Sequence, residues 1–194
     1  MASTSSAPWI LGISASHNGA ACLLHGDEIA VAIQEERLLR SKRARIRGAY
    51  APLAIRYCLD AAGIEPGDLS MIVACLACSR SDPEEDISRN RALEGAGPEI
   101  PRLIIPHHLG HAVSAFATSG FEDAAILVVD GAGSPCEDLT PDERATIRGG
   151  ARDSVEMASL YQASGTTIVP LEKHLRDDER WPLELEGGRR LPAA

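Results

Sequence analysis

Apolar and polar positions along this chain sort into short hydrophobic runs separated by turn residues. Positions 9–14 form an apolar run that breaks at Ser16-His17-Asn18-Gly19, positions 20–24 are apolar again before His25-Gly26-Asp27, and 28–34 form a third β-like run. Strand, turn, strand, tight turn, strand predicts a β-meander, because Asn-Gly and Gly-Asp supply the backbone conformations of tight turns. Positions 35–41 turn polar and lead into the basic stretch Arg40-Ser41-Lys42-Arg43-Ala44-Arg45, read as a loop or helix end. Over 52–62, Leu53, Ile55, Leu59 and Ala62 recur at roughly helical spacing, with Pro52 near the first turn and Gly63 just past the end. Those are start and stop signals of an amphipathic helix. Further along, 69–76 predicts a buried strand, 79–97 a charged, Gly-rich loop, 103–106 a short strand and 109–118 a helix. The run AAILVVD at 124–130 is the clearest buried strand and leads directly into Gly131-Ala132-Gly133-Ser134. Positions 157–161 and 166–170 predict two more strands.

Past Leu171 the period fails and charges accumulate, so the expected organisation is a disordered 1–8, a folded 9–170 and a weakly ordered tail over 171–194. No repeat at a period of about 20–50 residues is evident, which argues against a solenoid. A length of 194 residues suits one globular domain with a tail. Hydrophobic residues make up 44% but aromatics only 4%. The core must therefore be built from Ala, Val, Ile and Leu, as in α/β proteins where helices pack closely on a sheet. No run approaches the roughly 18 apolar residues of a membrane span, so no membrane is expected as a partner. A net charge of −9 argues against nucleic acid, whose backbone is bound through a Lys/Arg excess that releases counterions. The five cysteines are odd in number and the opening MASTSSAPWI lacks the basic and apolar segments of a signal peptide, which predicts a reduced cytoplasmic setting. Cys75 and Cys78 form a C-x-x-C at the end of an apolar run. With no second pair to complete four zinc ligands and no helix opened by the motif, a strand end is preferred to a redox or zinc site.

Four residues separate His107 from His111, so on a helix both imidazoles share one face, with Cβ atoms about 5–6 Å apart, and can clamp one metal ion. Asp130 ends the AAILVVD strand, and a carboxylate at the C-terminal edge of a strand in an α/β sheet points into the crevice where ligands usually bind. His, His and Asp with open positions suit a divalent transition metal, Fe(II), Zn or Mn. The alternative is a helix start in which one histidine caps and the other is half-buried. Gly131, Gly133 and Ser134 directly after a strand can bring backbone N–H groups up to a phosphate, because glycine permits positive φ and has no Cβ in the way; a plain hairpin turn is the competing reading. No P-loop and no Rossmann G-x-G-x-x-G occurs. His17, in the first turn, reads as a residue able to reach a ligand or as an ordinary polar turn residue. Lys42 reads as a cation able to neutralise phosphate or another anion, or as part of a solvated basic loop.

Taken in order, these segments resemble the nodulation-type and antibiotic-biosynthesis O-carbamoyltransferases, relatives of the tRNA threonylcarbamoyladenosine synthases. ILGISASHNGAACLL is similar to the family's opening strand, His-bearing turn and second strand. GDEIAVAIQEERLLRSK is similar to its third strand and following signature, here Glu35, Glu36, Arg37, Arg40 and Lys42. PLAIRYCLDAAGI is similar to the next helix, HHLGHAVSAF to its metal motif, and FEDAAILVVDGAGS to the phosphate-side strand and turn. The resemblance spans about 9–170 and implies an α/β fold of the actin-like ATPase (ribonuclease H-like) type, here a half-domain with a mixed sheet, a β-meander start and flanking helices. It implies His107, His111 and Asp130 as metal ligands, Fe(II) first among the ions, with His17 and Lys42 near the acceptor site.

By the same resemblance, the complete enzyme makes carbamoyl adenylate from carbamoyl phosphate and ATP in a second domain and transfers the carbamoyl group to a hydroxyl of a small-molecule acceptor. Two features depart from the family pattern: its His-Asp is His17-Asn18 here and its Lys-His is Lys42-Arg43. The stretch 136–150 is also acidic and Pro-containing, which suggests a local insertion. The length predicts a chain lacking the adenylate-forming domain. It would act as the N-terminal part of a transferase, or as a catalytically incomplete metal- or nucleotide-binding module regulating a full-length partner. A complementary subunit or a second copy is then expected to cover apolar surface around Gly131 and Ala112.

Overall fold

The computed structural model describes residues 7–15, 18–46, 52–75, 90–148 and 154–177. Positions 1–6, His17, Cys78 and 178–194 lie outside the described residues. The chain divides into two compact units, Met1–Ile105 and Pro106–Ala194.

In the first unit the predicted meander forms: β1 (Trp9–Ser14), β2 (Ala20–His25) and β3 (Glu28–Gln34) pair antiparallel in sequence order. A short helix α1 (Glu35–Leu39) and the longer α2 (Leu53–Ala62) follow. The chain then returns as β4 (Met71–Cys75), parallel to β1, and β5 (Arg102–Ile105), parallel to β4. The result is a mixed five-stranded sheet of order β3-β2-β1-β4-β5, so the α/β class with a meander start and flanking helices is what the chain adopts. Alternate residues of the strands, Leu11 and Ile13, Ala21 and Leu23, Ile72 and Ala74, face one core with Ala54, Ile55, Cys58 and Leu59 of α2. That is the period-2 and period-3.6 matching expected of a helix laid on a sheet. Gly63 ends α2 in the left-handed conformation, φ 67°, its N–H donating to Asp60 O.

Two local features explain residues that the sequence pattern had left as loop chemistry. Gly19 donates its N–H to Ala44 O at 2.8 Å, and a Cβ there would lie 2.6 Å from Ile46 N. Only glycine lets the basic segment pass this close to the β1–β2 turn. Glu35 is 3% exposed, and its carboxylate accepts the N–H groups of Leu53 (3.0 Å) and Ala54 (2.7 Å). These are unpaired donors in the first turn of α2, whose preceding residue, Pro52, offers no side-chain cap. Glu35 is therefore a cap supplied from 18 residues upstream. Glu35→Ala, which orphans both donors, is expected to cost about 1–3 kcal/mol in urea denaturation followed by circular dichroism. Glu35→Gln, which keeps one acceptor oxygen, is expected to cost less.

The second unit carries the longest helix, α3 (His107–Ser119), then β6 (Asp123–Val129), the short α4 (Pro141–Ala145), β7 (Ser154–Ser164) and β8 (Thr167–Asp177). β6, β7 and β8 form an antiparallel three-stranded sheet. Ala112 of α3 and Ile126, Val128, Tyr161 and Ala163 of the sheet make its small core.

Two expectations change here. The tail was to begin at Leu171, but β8 continues through Asp177, and Lys173 within it is fully buried. Lys173 obscured the strand because its charge faces buried carboxylates rather than water. The AAILVVD run, the clearest buried strand of the sequence, lies at the edge of its sheet, with Ile126 and Val128 turned to the core and Leu127 and Val129 68% and 72% exposed.

Candidate metal centre

Helix α3 starts directly after Pro106, which provides no side-chain cap. Its first N–H groups find acceptors elsewhere in the second unit: His107 N–H donates to Ser134 Oγ (2.9 Å) and His108 N–H to Glu156 Oε2 (3.2 Å). The helix terminus is thereby fixed in register, and with it His107 and His111, one turn apart. Their Nε2 atoms are 3.1 Å apart and the rings lie edge to face at 79°.

Asp130, the residue after β6, is held by its N–H on Met157 O at 3.0 Å, and its Oδ1 accepts the Gly131 N–H at 2.6 Å. The other oxygen, Oδ2, faces the histidines, 3.0 Å from His107 Nε2 and 3.7 Å from His111 Nε2. Ligands each about 2.0–2.2 Å from one ion at tetrahedral or octahedral angles stand about 3.0–3.5 Å from one another. Two of the observed separations, 3.0 and 3.1 Å, fall in that range, and the third, 3.7 Å between His111 Nε2 and Asp130 Oδ2, lies just beyond it. His107 is buried while the His111 side chain is half exposed, so the cluster has a closed back and an open front.

The electrostatics favour the ligand forms. Burial, then the neighbouring His111, hold His107 below the usual histidine range against the opposing pull of Asp130. A neutral imidazole with a free lone pair is the form that binds a metal. Burial alone would raise Asp130, but the Gly131 N–H and the two histidines outweigh it and keep the carboxyl below its usual range. His108, fully buried next to the cluster, is pushed down to about 4 by burial, with Glu156 pulling the other way.

The remaining sequence candidates fare differently. Gly131, Gly133 and Ser134 do follow the strand, but their N–H groups are engaged inside the unit. Gly131 bonds Asp130, Gly133 donates to Glu156 O (2.9 Å), and Ser134 donates to Glu156 Oε2 (2.9 Å). Gly133 owes its identity to crowding, since a Cβ would lie 2.7 Å from Glu156 Cβ and 2.8 Å from His108 Cδ2. Lys42 is exposed in the basic loop of the first unit, whose Ala44 bonds Gly19 of the turn that bears His17; His17 itself lies outside the described residues. Cys75 ends β4, as the strand-end reading required. Ala112 itself is buried on the core side of α3, while Val113 beside it and Val129 before Asp130 are exposed.

Sequence reasoning missed the polar network behind the metal cluster. Lys173 Nζ donates to Glu156 Oε1, to Tyr161 Oη (2.8 Å) and to Ser159 Oγ (3.2 Å), and pairs with Glu143 Oε1 at 2.9 Å. Tyr161 Oη donates to Glu143 Oε1 at 2.9 Å. Burial, then Glu143 and Glu156, push the Tyr161 phenol well above its ordinary range, so it stays a donor. No local spacing announces this group, whose members stand on three separate elements.

Comparison with known proteins agrees with the order of these segments. Residues 9–77 match the family described as carbamoyltransferase N-terminus. Over that stretch the chain is similar to the N-terminal part of carbamoyltransferases. It is 34% identical over 190 residues to nodulation protein NolNO of Sinorhizobium fredii, covering 88% of this chain and 25% of that protein. It is 31% identical over 159 residues to uncharacterized protein sll1178 of Synechocystis, covering 64% of this chain and 25% of the relative. The chain thus spans about a quarter of the length of the curated relatives it matches. Among solved structures, YeaZ from Pseudomonas aeruginosa superposes with a TM-score of 0.47 at 15% identity, over 92% of this chain and 71% of that one. Among the described residues no helix is long and apolar enough to cross a membrane.

Proposed function

We propose that this chain is the metal-bearing N-terminal part of an O-carbamoyltransferase, adopting half of an actin-like ATPase fold. Its reaction passes a carbamoyl group from carbamoyl adenylate, made from carbamoyl phosphate and ATP, to a hydroxyl of a small-molecule acceptor in natural-product biosynthesis. The observation that carries the reading is the convergence of His107, His111 and Asp130 on one point with an open front, in a chain whose similarity to NolNO runs through this segment. A divalent ion at these three residues, Fe(II) first and Zn or Mn as alternatives, supplies a Lewis acid for the adenylate oxygens and the carbamoyl carbonyl.

The chain's own residues account for the rest. The acceptor oxygen attacks the carbamoyl carbon, the bond to the adenylate phosphate breaks, AMP leaves, and the hydroxyl proton passes to a base, the role assigned to His17. Lys42 neutralises phosphate or carbamoyl oxygens from the basic loop. Gly131, Gly133 and Ser134 would form the turn on the adenylate side, although their N–H groups already have acceptors within the protein. Adenylate formation belongs to chain beyond this quarter-length segment.

A complementary polypeptide is part of the proposal. The edge strand β6 exposes Leu127 and Val129, and contiguous apolar surface on a soluble chain usually marks an interface. The second reading, a regulatory module on a full-length partner, is favoured by the same short span. One assay separates them. The chain is incubated with ATP, carbamoyl phosphate and a panel of hydroxyl acceptors, with and without a polypeptide matching the rest of NolNO, and pyrophosphate and carbamoylated product are followed. No pyrophosphate is expected from the chain alone, and product is expected only with the complement. Absence of product in every combination overturns the transferase reading, and altered turnover of a full-length relative on addition of the chain supports the module.

A further inference from the structure

The three metal-facing side chains stand on two separate pieces of backbone, the first turns of α3 and the segment after β6. One buried carboxylate holds both. Glu156 Oε2 accepts the His108 N–H of the helix start (3.2 Å) and the Ser134 N–H of the segment after Asp130 (2.9 Å). The backbone of Glu156 closes the same segment twice more, its N–H on Ser134 O (3.0 Å) and its carbonyl accepting from Gly133 N–H. Ser134 in turn offers its Oγ to the His107 N–H. The opposite oxygen, Oε1, is held by Lys173, itself fully buried against Glu143, Tyr161 and Ser159.

A β-bulge puts Glu156 in this place. Going backwards along β7, Ala163, Tyr161 and Ser159 face inward, and strict alternation would bring Met157 in next. The register shift between Glu156 and Ala158 leaves Met157 outside and turns Glu156 to the interior. Such a bulge re-aims a side chain beside a functional site.

We infer that Glu156, oriented by Lys173 and acting with Ser134, is a positioning residue for the metal cluster: it sets the distance between the His107/His111 pair on α3 and Asp130 after β6. This rests on the metal reading above. The carboxylate is required because it has two acceptor oxygens facing two sets of donors, whereas an amide has one acceptor oxygen and an NH2 that must face donors on the other side. Glu156→Gln therefore releases either the two backbone N–H groups or Lys173. Removing the Lys173 donor at the same time, in Glu156→Gln/Lys173→Met, lets the amide oxygen turn back to the backbone pair.

The test is Co(II) binding by the purified chain, read as calorimetric Kd and as the visible d–d absorption of the bound ion. It is run well below each variant's melting temperature. Wild type, Glu156→Gln, Ser134→Ala, the Glu156→Gln/Lys173→Met pair and Tyr161→Phe are compared. Tyr161→Phe removes a hydroxyl from the same network without touching either N–H group, so it controls for loss of stability alone. Groups that orient metal ligands typically contribute about 10–100-fold in affinity. Glu156→Gln and Ser134→Ala are expected to bind at least about 10-fold more weakly with an altered absorption envelope. Tyr161→Phe should keep the wild-type Kd and spectrum, and the double variant should recover much of the loss. Wild-type affinity and spectrum in both Glu156→Gln and Ser134→Ala overturn the positioning role while leaving the metal site standing. Failure of the wild type to bind Co(II) overturns the metal reading, and this inference with it. If Glu156→Gln does not fold, Ser134→Ala decides the matter alone.

Discussion

Lys173→Met is expected to destabilise the second unit by about 3–5 kcal/mol, the range found when one partner of a buried ion pair is removed and the other charge is left uncompensated. Lys173 lies between the carboxylates of Glu143 and Glu156, all three essentially inaccessible to solvent, and supplies the cation for both. Without it two anions share an interior closed to solvent, and each loses a charge-assisted hydrogen bond. Domains of this size are stable by only about 5–15 kcal/mol, so the variant is expected to be partly unfolded at physiological temperature. Glu143 has a second duty that makes relief incomplete: its Oε2 accepts the Thr140 N–H (3.1 Å) and Thr140 Oγ1 (3.0 Å) at the start of α4. Adding Glu156→Gln removes one of the two stranded charges and should recover part of the stability. Thermal melts of the wild type, the single and the double variant measure this. A single variant within about 1 kcal/mol of wild type would mean that the pair contributes no more than an exposed surface bridge.

His107→Ala combined with His111→Ala is expected to abolish binding of a divalent transition metal, from one ion per wild-type chain to none. The reason is geometric. Asp130 alone leaves a single carboxylate oxygen facing the site, since its Oδ1 is occupied by the Gly131 N–H, and one such ligand does not hold an ion against water. The same change should remove metal-induced stabilisation, which follows the logarithm of the ratio of free ion to dissociation constant and reaches about 2.7 kcal/mol at a hundredfold excess over Kd. Because burial and His111 hold His107 below the usual histidine range, this residue releases little proton on metal binding at neutral pH. Elemental analysis after exposure to Fe(II), Zn or Mn, with melting curves with and without metal, reads both effects. Equal metal content in wild type and double variant would show that the three donors converge for another reason.

How much of this was legible beforehand depends on the range of the interaction. The meander β1–β2–β3, helix α2 with its Pro52 start and Gly63 stop, and the strand ending at Asp130 follow from local period and turn chemistry, and each appears within a residue or two of its expected bounds. His107 and His111 were legible as a pair because four residues of helix bring them onto one face; Asp130 was expected at a strand end of an α/β sheet, whereas β6 lies in an antiparallel sheet and brings it there by a different route.

What the sequence could not decide is what depends on partners far along the chain. Glu35 reads as part of a polar signature, yet it caps a helix that starts 18 residues later. Positions 171–177 read as tail because charge dominates there, but Lys173 faces two buried carboxylates, and a buried cation is sequence-identical to a solvated one. Glu156 was hidden further by the bulge at Met157, since a one-residue register shift exchanges inward and outward positions and no period-2 pattern can announce it. The run at 124–130 shows the converse: its composition says that both faces seek burial, but only tertiary structure decided that Ile126 and Val128 are covered while Leu127 and Val129 are left to water. Local period and spacing determined the elements and brought His107 and His111 together as a pair; the pairing of strands and the burial of charge, set by contacts across tens of residues, decided how that pair and Asp130 are held.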